Sequence, residues 1–243
     1  AISAEPGMDY FQLLLLAHVI GDFPLQTDSL FRLKQKSAWG VPLHVLICSL
    51  VNVALFFPLL DRPAVWLVIL FIALVHFTLD RTKLFLALFH ARDGLGYFFI
   101  DQGLHLISLL GGAWYLQATL PQDSYWLSSW LTTTLTALVI AGFAAPPIIH
   151  YLQLGLAGKT ARLKGHAFPA FRHRLPGILS RLLATLGLIL GGWYNLLVLT
   201  LLSALMLPSP APGRSPRYRH AELAVSAAIS FFCALFAWYV RAR

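Results

Sequence analysis

Long apolar runs alternate with short basic loops along the chain, and this alternation narrows the fold more than any other feature. Runs at roughly 10–28, 41–60, 64–88, 96–118, 127–152, 176–192, 194–207 and 221–240 carry few charges. A backbone crossing hydrocarbon must satisfy its own hydrogen bonds, so each run reads as a helix. The pattern predicts an all-α, polytopic transmembrane helical bundle of about seven or eight spans. The count is open at 176–207, a stretch too long for one span of ~20 residues and short for two. Its Gly191-Gly192-Trp193-Tyr194-Asn195 break reads as a tight hairpin or a pair of half-helices. Pro24 and the pair Pro146 and Pro147 should kink their helices, and the Pro/Gly-rich 208–216 is a loop.

Composition supports this reading and closes off others. Of 243 residues, 58% are apolar and 12% are charged, against about 25% charged in a soluble domain. Disorder, a fibrous protein and a disulfide scaffold are excluded. Cys48 and Cys233 each sit inside an apolar run, so nothing argues for an oxidising compartment or a Cys-based metal site. The net charge of +8 comes from Lys and Arg in short loops, which reads as orientation and headgroup contact rather than nucleic-acid binding. No Gly-rich phosphate loop and no G-x-S-x-G elbow is present. Tyr10, Trp39, Trp66, Tyr97, Trp126, Trp130, Trp238 and Tyr239 lie near span ends, as interfacial aromatics do.

The expected organisation is a leader or expression remnant over 1–8, a four-helix site unit over 9–118, and a C-terminal bundle over 119–243 with a basic loop at 155–175. Residues 1–7 lack the basic and apolar regions of a signal peptide. Arg32, Lys34 and Lys36 follow the first run, Arg81, Lys83 and Arg92 the third, and five Lys or Arg residues the fifth. The positive-inside rule puts these loops in the cytoplasm and the N-terminus outside, in a multi-pass protein of the bacterial inner membrane.

Against this apolar background stand ionisable groups. The chain has ten acidic residues, yet Asp22, Asp80 and Asp101 lie in apolar surroundings with His18, His44, His76 and His105. The spacings are His18-x3-Asp22, His76-x3-Asp80 and Asp101-x3-His105, and residues four apart share a helix face. Gln26 extends the first face by a turn. Alternating helix direction puts all seven groups in one half of the bilayer, whichever way the whole is oriented. His150 and Glu222 would lie on the same side. Leu16–Asp22 also parallels Leu74–Asp80, which hints at a pseudo-twofold repeat in the first four helices, the kind of bundle core where metal sites are built.

Four imidazoles and three carboxylates form a nitrogen/oxygen set suited to a divalent metal such as Zn, Mn or Fe. A lone membrane histidine is more often an interhelical donor, and a buried His–Asp pair can satisfy itself. Three pairs plus His44 at one depth reverse that preference. Haem or chlorophyll ligation would leave the carboxylates unexplained. His18, Asp22, His76, Asp80, Asp101 and His105 are the expected ligands, with Asp101 also able to act in catalysis. His44 is a further ligand or general base, Lys83 a catalytic or orienting cation, and Gln26, Gln102 and Arg81 are substrate contacts.

At these residues the sequence resembles an uncharacterised family of bacterial integral membrane proteins, a domain of unknown function. The likeness rests on His18-Val-Ile-Gly-Asp22-Phe23-Pro-Leu25-Gln26, Leu43-His44, His76-x3-Asp80-x2-Lys83, Asp101-Gln102-x2-His105 and a final helix around Ala221-Glu222. Ser180-Arg181 departs from it, since an acidic residue is expected before the arginine. Ser203-Ala204-Leu205 lacks an expected lysine. The resemblance implies a fold and motif positions but no activity. A looser analogy links the His/Asp motifs to membrane-bound metal-dependent hydrolases.

The expectation is therefore a metal-dependent hydrolase acting on an amphipathic or lipid-like, phosphorylated substrate at the cytoplasmic interface. A proton- or cation-coupled transporter using the cluster as a relay, and an accessory subunit with a membrane-protein partner or a second copy, are the competing readings.

Overall fold

The computed structural model describes residues 10–90, 94–120, 127–156, 169, 171–191 and 216–241, side chains at 88–90, 153–156, 191, 216–222 and 241 excepted. Among the described residues there is no strand. The helices are α1 (Tyr10–Asp22), α2 (Asp28–Lys36), α3 (Gly40–Leu55), α4 (Pro63–His90), α5 (Leu95–Thr119), α6 (Ser129–Val139), α7 (Ala145–Leu156), α8 (Phe171–Gly191) and α9 (Pro216–Arg241). A 3₁₀ turn, Phe57–Leu59, follows α3, and a π turn, Ile140–Ala144, joins α6 to α7. The expected run at 194–207, the loop at 208–215, residues 1–9 and most of the 155–175 loop lie outside the described residues, as does the Glu222 side chain.

Three stretches are long and apolar enough to cross a membrane: Pro63–Ala87, Ser129–Leu152 and Leu223–Val240. The helices expected at 10–28 and 41–60 are shorter than expected. At 13 residues, α1 is about 20 Å long, less than the ~30 Å hydrocarbon core. Pro24 does not kink α1. It follows the helix end, because proline disfavours helical backbone at the residue before it. Leu70, Leu74, Ile107, Trp114 and Phe232 turn outward, the inside-out pattern of helices solvated by lipid.

Residues 28–36, expected as loop, form α2. The Thr27 hydroxyl accepts from the Leu30 N–H, Asp28 lies in the first turn, and Lys34 and Lys36 lie in the last, all favourable to the helix dipole. The helix is amphipathic, and Leu30 and Lys34, one turn apart, are its buried residues. Gly40, at the start of α3, admits the last turn of α2. A Cβ at Gly40 would overlap the backbone of Leu33 and Lys34.

The chain divides into two compact units. One comprises Ala1–Arg92 with Gly96–Thr136, the other Asp93–Leu95 with Ala137–Arg243. In the first, Tyr10, Leu13 and Leu14 of α1, Val65, Val68 and Ile72 of α4, and Leu109, Ala113 and Leu116 of α5 form one apolar core. Gly112 lets α5 approach α4, since a Cβ there would stand 2.9 Å from Val68 Cγ1. This core uses the first halves of α1 and α4 and the second half of α5. The remaining halves converge at the other end of the bundle, and they carry the polar residues.

In the second unit, Pro146 and Pro147 act through their missing N–H groups, and the distortion is a π turn just before them. The Ala145 N–H donates to Ile140 O, five residues back, so Ala141 O loses its usual donor. Pro146 has no N–H for Gly142 O. Arg181 of α8 serves both carbonyls: Nε donates to Ala141 O at 2.8 Å and Nη2 to Gly142 O at 3.4 Å. Its Nη1 also donates to Ser226 Oγ of α9 at 3.4 Å. Arg181→Ala is expected to leave two buried carbonyls unpaired at about 1–3 kcal/mol each. Thermal unfolding in detergent checks this, and an unchanged midpoint would contradict it.

Candidate metal centre

Four helices each deliver polar groups to the end of the first unit opposite its apolar core. From α1 come His18 and Asp22, from α3 His44, from α4 His76 and Asp80, and from α5 Asp101, Gln102 and His105. His18, Asp22, His44, His76, Asp80, Asp101 and His105 are all buried, at 0–8% exposure. The three x3 spacings do place each pair on one face. His18–Asp22, His76–Asp80 and His105–Asp101 all approach to 3.8 Å.

At the centre is a triangle of donor atoms. Asp22 Oδ1 lies 3.1 Å from His44 Nε2 and 3.1 Å from His76 Nε2, and the two nitrogens are 3.2 Å apart. Asp80 Oδ2 lies 3.6 Å from His44 Nε2 and 3.8 Å from His76 Nε2. An imidazole Nε2 carries one hydrogen at most, so His44 cannot serve all these neighbours by hydrogen bonding. A cation can. Ligands about 2.05 Å from a tetrahedral ion stand about 3.3 Å apart, close to the triangle's sides.

The orientation of His105 adds to this. Its Nδ1 lies 2.8 Å from Asp101 O, a carbonyl that can only accept, so Nδ1 carries a hydrogen and, in the neutral ring, Nε2 a lone pair. That buried Nε2 has no hydrogen-bond partner. The His105 ring stands 4.5 Å from that of His76 and 5.1 Å from that of His18. His76, Asp80 and His105 form a second group with ligand atoms within 4.8 Å of one another. These buried groups could hold a metal ion.

Two ammonium groups face the carboxylates. Lys34 Nζ donates to Asp80 Oδ2 at 2.5 Å and to Gln26 Oε1 at 2.6 Å. Lys83 Nζ donates to Asp101 Oδ2 at 2.6 Å, with its side chain still 34% exposed. Gln102 links the layers. Its Nε2 donates to Asp22 Oδ2 at 3.3 Å and Asp101 Oδ2 at 3.2 Å, and its Oε1 lies 3.4 Å from His18 Nε2. On the other side, His18, Cys48, Asn52 and His76 border a cavity of about 10 Å³, room for roughly one water, and Asn52 Oδ1 there has no protein partner.

Of the sequence candidates, ten meet in this network. Arg81 does not: it is exposed on α4 and makes no contact with the cluster. Lys34 is the residue that sequence reasoning missed, because it reads as a loop charge. Its signal is Thr27-Asp28 at the start of an amphipathic segment with Leu30 and Lys34 one turn apart.

Fold and site together define a helical protein with membrane-spanning segments and a buried His/Asp centre at one end of its first unit. The chain belongs to the family described as protein of unknown function (DUF3307), which matches residues 10–136, more than half of its length and nearly all of the first unit. No curated protein and no solved structure matches it.

Breaking the Lys34–Asp80 pair leaves an uncompensated buried charge. In metal-free protein, Lys34→Met is expected to cost about 3–5 kcal/mol. The double variant Lys34→Met, Asp80→Asn should lose less than Lys34→Met alone. Thermal unfolding of the three proteins reads this, and equal losses would contradict an uncompensated Asp80 charge as the source of the Lys34→Met loss.

Proposed function

We propose that the protein is a metal-dependent hydrolase of the bacterial inner membrane, acting at the cytoplasmic interface on an amphipathic or lipid-like, phosphorylated substrate. The observation that carries the reading is the Asp22, His44 and His76 triangle, three potential ligand atoms 3.1–3.2 Å apart, near the ~3.3 Å spacing of ligands about a tetrahedral ion. Asp80 and His105 are the adjoining candidates for ligation, and Zn, Mn or Fe is the metal class. A metal bound there supplies a hydroxide nucleophile at neutral pH. His44 then serves as a ligand, and general base chemistry falls to His18, next to Gln102 at the edge of the triangle.

The Lys83 side chain is partly exposed and its ammonium pairs with Asp101, which makes it the cation to meet a phosphate. Orientation rests on the basic residues of α2 and of the C-terminal part of α4, Arg81 and Lys83, which the positive-inside rule assigns to the cytoplasm. Protein purified without a chelating tag is expected to carry one or two equivalents of metal per chain, lost in His76→Ala. Phosphoesters and phospholipids are the substrates to screen. Lys83→Ala should keep the metal and lower kcat/KM about 10- to 100-fold, the loss of one charge-assisted hydrogen bond. Absence of metal from wild-type protein, even after metal is offered back, would end this reading.

One observation favours a second reading, a proton or cation pathway. The cavity beside His18 and His76 holds about one water, and the Lys–Asp pairs could exchange partners with a passing ion. Uptake driven by a pH gradient in proteoliposomes, abolished by Asp80→Asn, is its expected signature. Gradient-independent hydrolysis would count against it.

A further inference from the structure

The proposed metal centre leaves open what completes the Asp22, His44 and His76 triangle. Asp80 Oδ2 is the nearest carboxylate oxygen, but Lys34 holds that same oxygen at 2.5 Å, so a cation approaching it meets an ammonium. Cys48 offers another side. It lies on α3 one turn after His44, repeating the x3 spacing of the His/Asp pairs, and is 5% exposed. Its Sγ stands 3.7 Å from His44 Nε2 and borders the small cavity with His18 and His76. One ligand atom each from Asp22, His44, Cys48 and His76 lies within 4.8 Å of the others. Gly21 contributes to the space around the thiol, since a Cβ there would stand 2.6 Å from Cys48 Sγ.

We infer that Cys48 is a metal ligand, and that Asp22, His44, Cys48 and His76 form a four-coordinate site for a borderline-soft divalent ion of the Zn, Fe or Co class. The inference rests on the metal-centre reading above and specifies its protein ligands, the water of that reading entering as a fifth ligand. In a tetrahedral site with about 2.3 Å to sulfur and about 2.05 Å to nitrogen, sulfur and nitrogen are about 3.6 Å apart, near the 3.7 Å seen here. The widest separation in the set closes by a side-chain shift of about 1 Å at most. As the metal–sulfur bond forms, the thiol proton leaves to solvent, and the site holds one thiolate, one carboxylate and two neutral imidazoles. A thiolate favours Zn, Fe or Co over Mg, Ca or Mn.

Cobalt reads the ligand set directly. Metal-free, full-length protein in detergent, titrated with Co²⁺, is expected to take up cobalt with the intense near-ultraviolet band of thiolate-to-cobalt charge transfer. Cys233→Ser should keep the band, and Cys48→Ser should lose it. Should Cys48→Ser fail to fold, the wild-type and Cys233→Ser spectra still decide. Cobalt bound without the band, or a band that disappears with Cys233, overturns the inference and leaves the metal centre standing. No cobalt and no zinc bound to wild-type protein overturns both.

Discussion

Asp22 is the group at which the polar helices of the first unit meet. Carried by α1, it turns Oδ1 toward His44 of α3 and His76 of α4, and Oδ2 toward Gln102 of α5. A carboxylate buried among apolar helices is costly unless its charge is answered and its lone pairs are used. Here both oxygens are used, by side chains from three other helices. The other two carboxylates repeat the arrangement with lysines, Asp80 with Lys34 and Asp101 with Lys83. Neutralisation by neighbours is what lets this end of the bundle stay packed, while the other end carries the apolar core.

The division between the two ends explains how much of the site is legible in the sequence. A helix that needs one apolar half and one polar half writes both into its residue order. Tyr10–Leu14 precede His18 and Asp22, Val65–Ile72 precede His76 and Asp80, and α5 reverses the order. The four-residue spacing and the shared depth follow from that order, and so does the convergence. The lengths of α1 and α3 do not, because apolar residues continue past the helix ends into turns. The family match covers the same region and carries no chemistry with it.

What escaped the sequence reading did so for identifiable reasons. Lys34 sits among exposed basic residues, and only the cap at Thr27 and the close approach at Gly40 turn its segment into a helix that reaches Asp80. Cys48 has the spacing of a site residue but the polarity of a core residue, so hydrophobicity hides it. Beyond the family match, Ser180-Arg181 lacks the acidic residue expected before the arginine. The structure gives the arginine a role: it supplies donors to the carbonyls that the π turn and Pro146 leave open. That pairing joins residues some forty positions apart, and local sequence cannot announce it.

A centre buried among apolar helices is ordinarily insulated from the ionic strength of its surroundings, since screening acts on exposed charges and hardly on buried ones. In this protein one of the buried charges is carried by α2, an amphipathic helix whose open face holds Arg32 and Lys36. Salt acts on that face directly, and what shifts the helix also shifts where the Lys34 ammonium rests. The electrostatic balance of the interior is thereby tied to the composition of the medium outside it, by one short segment of chain.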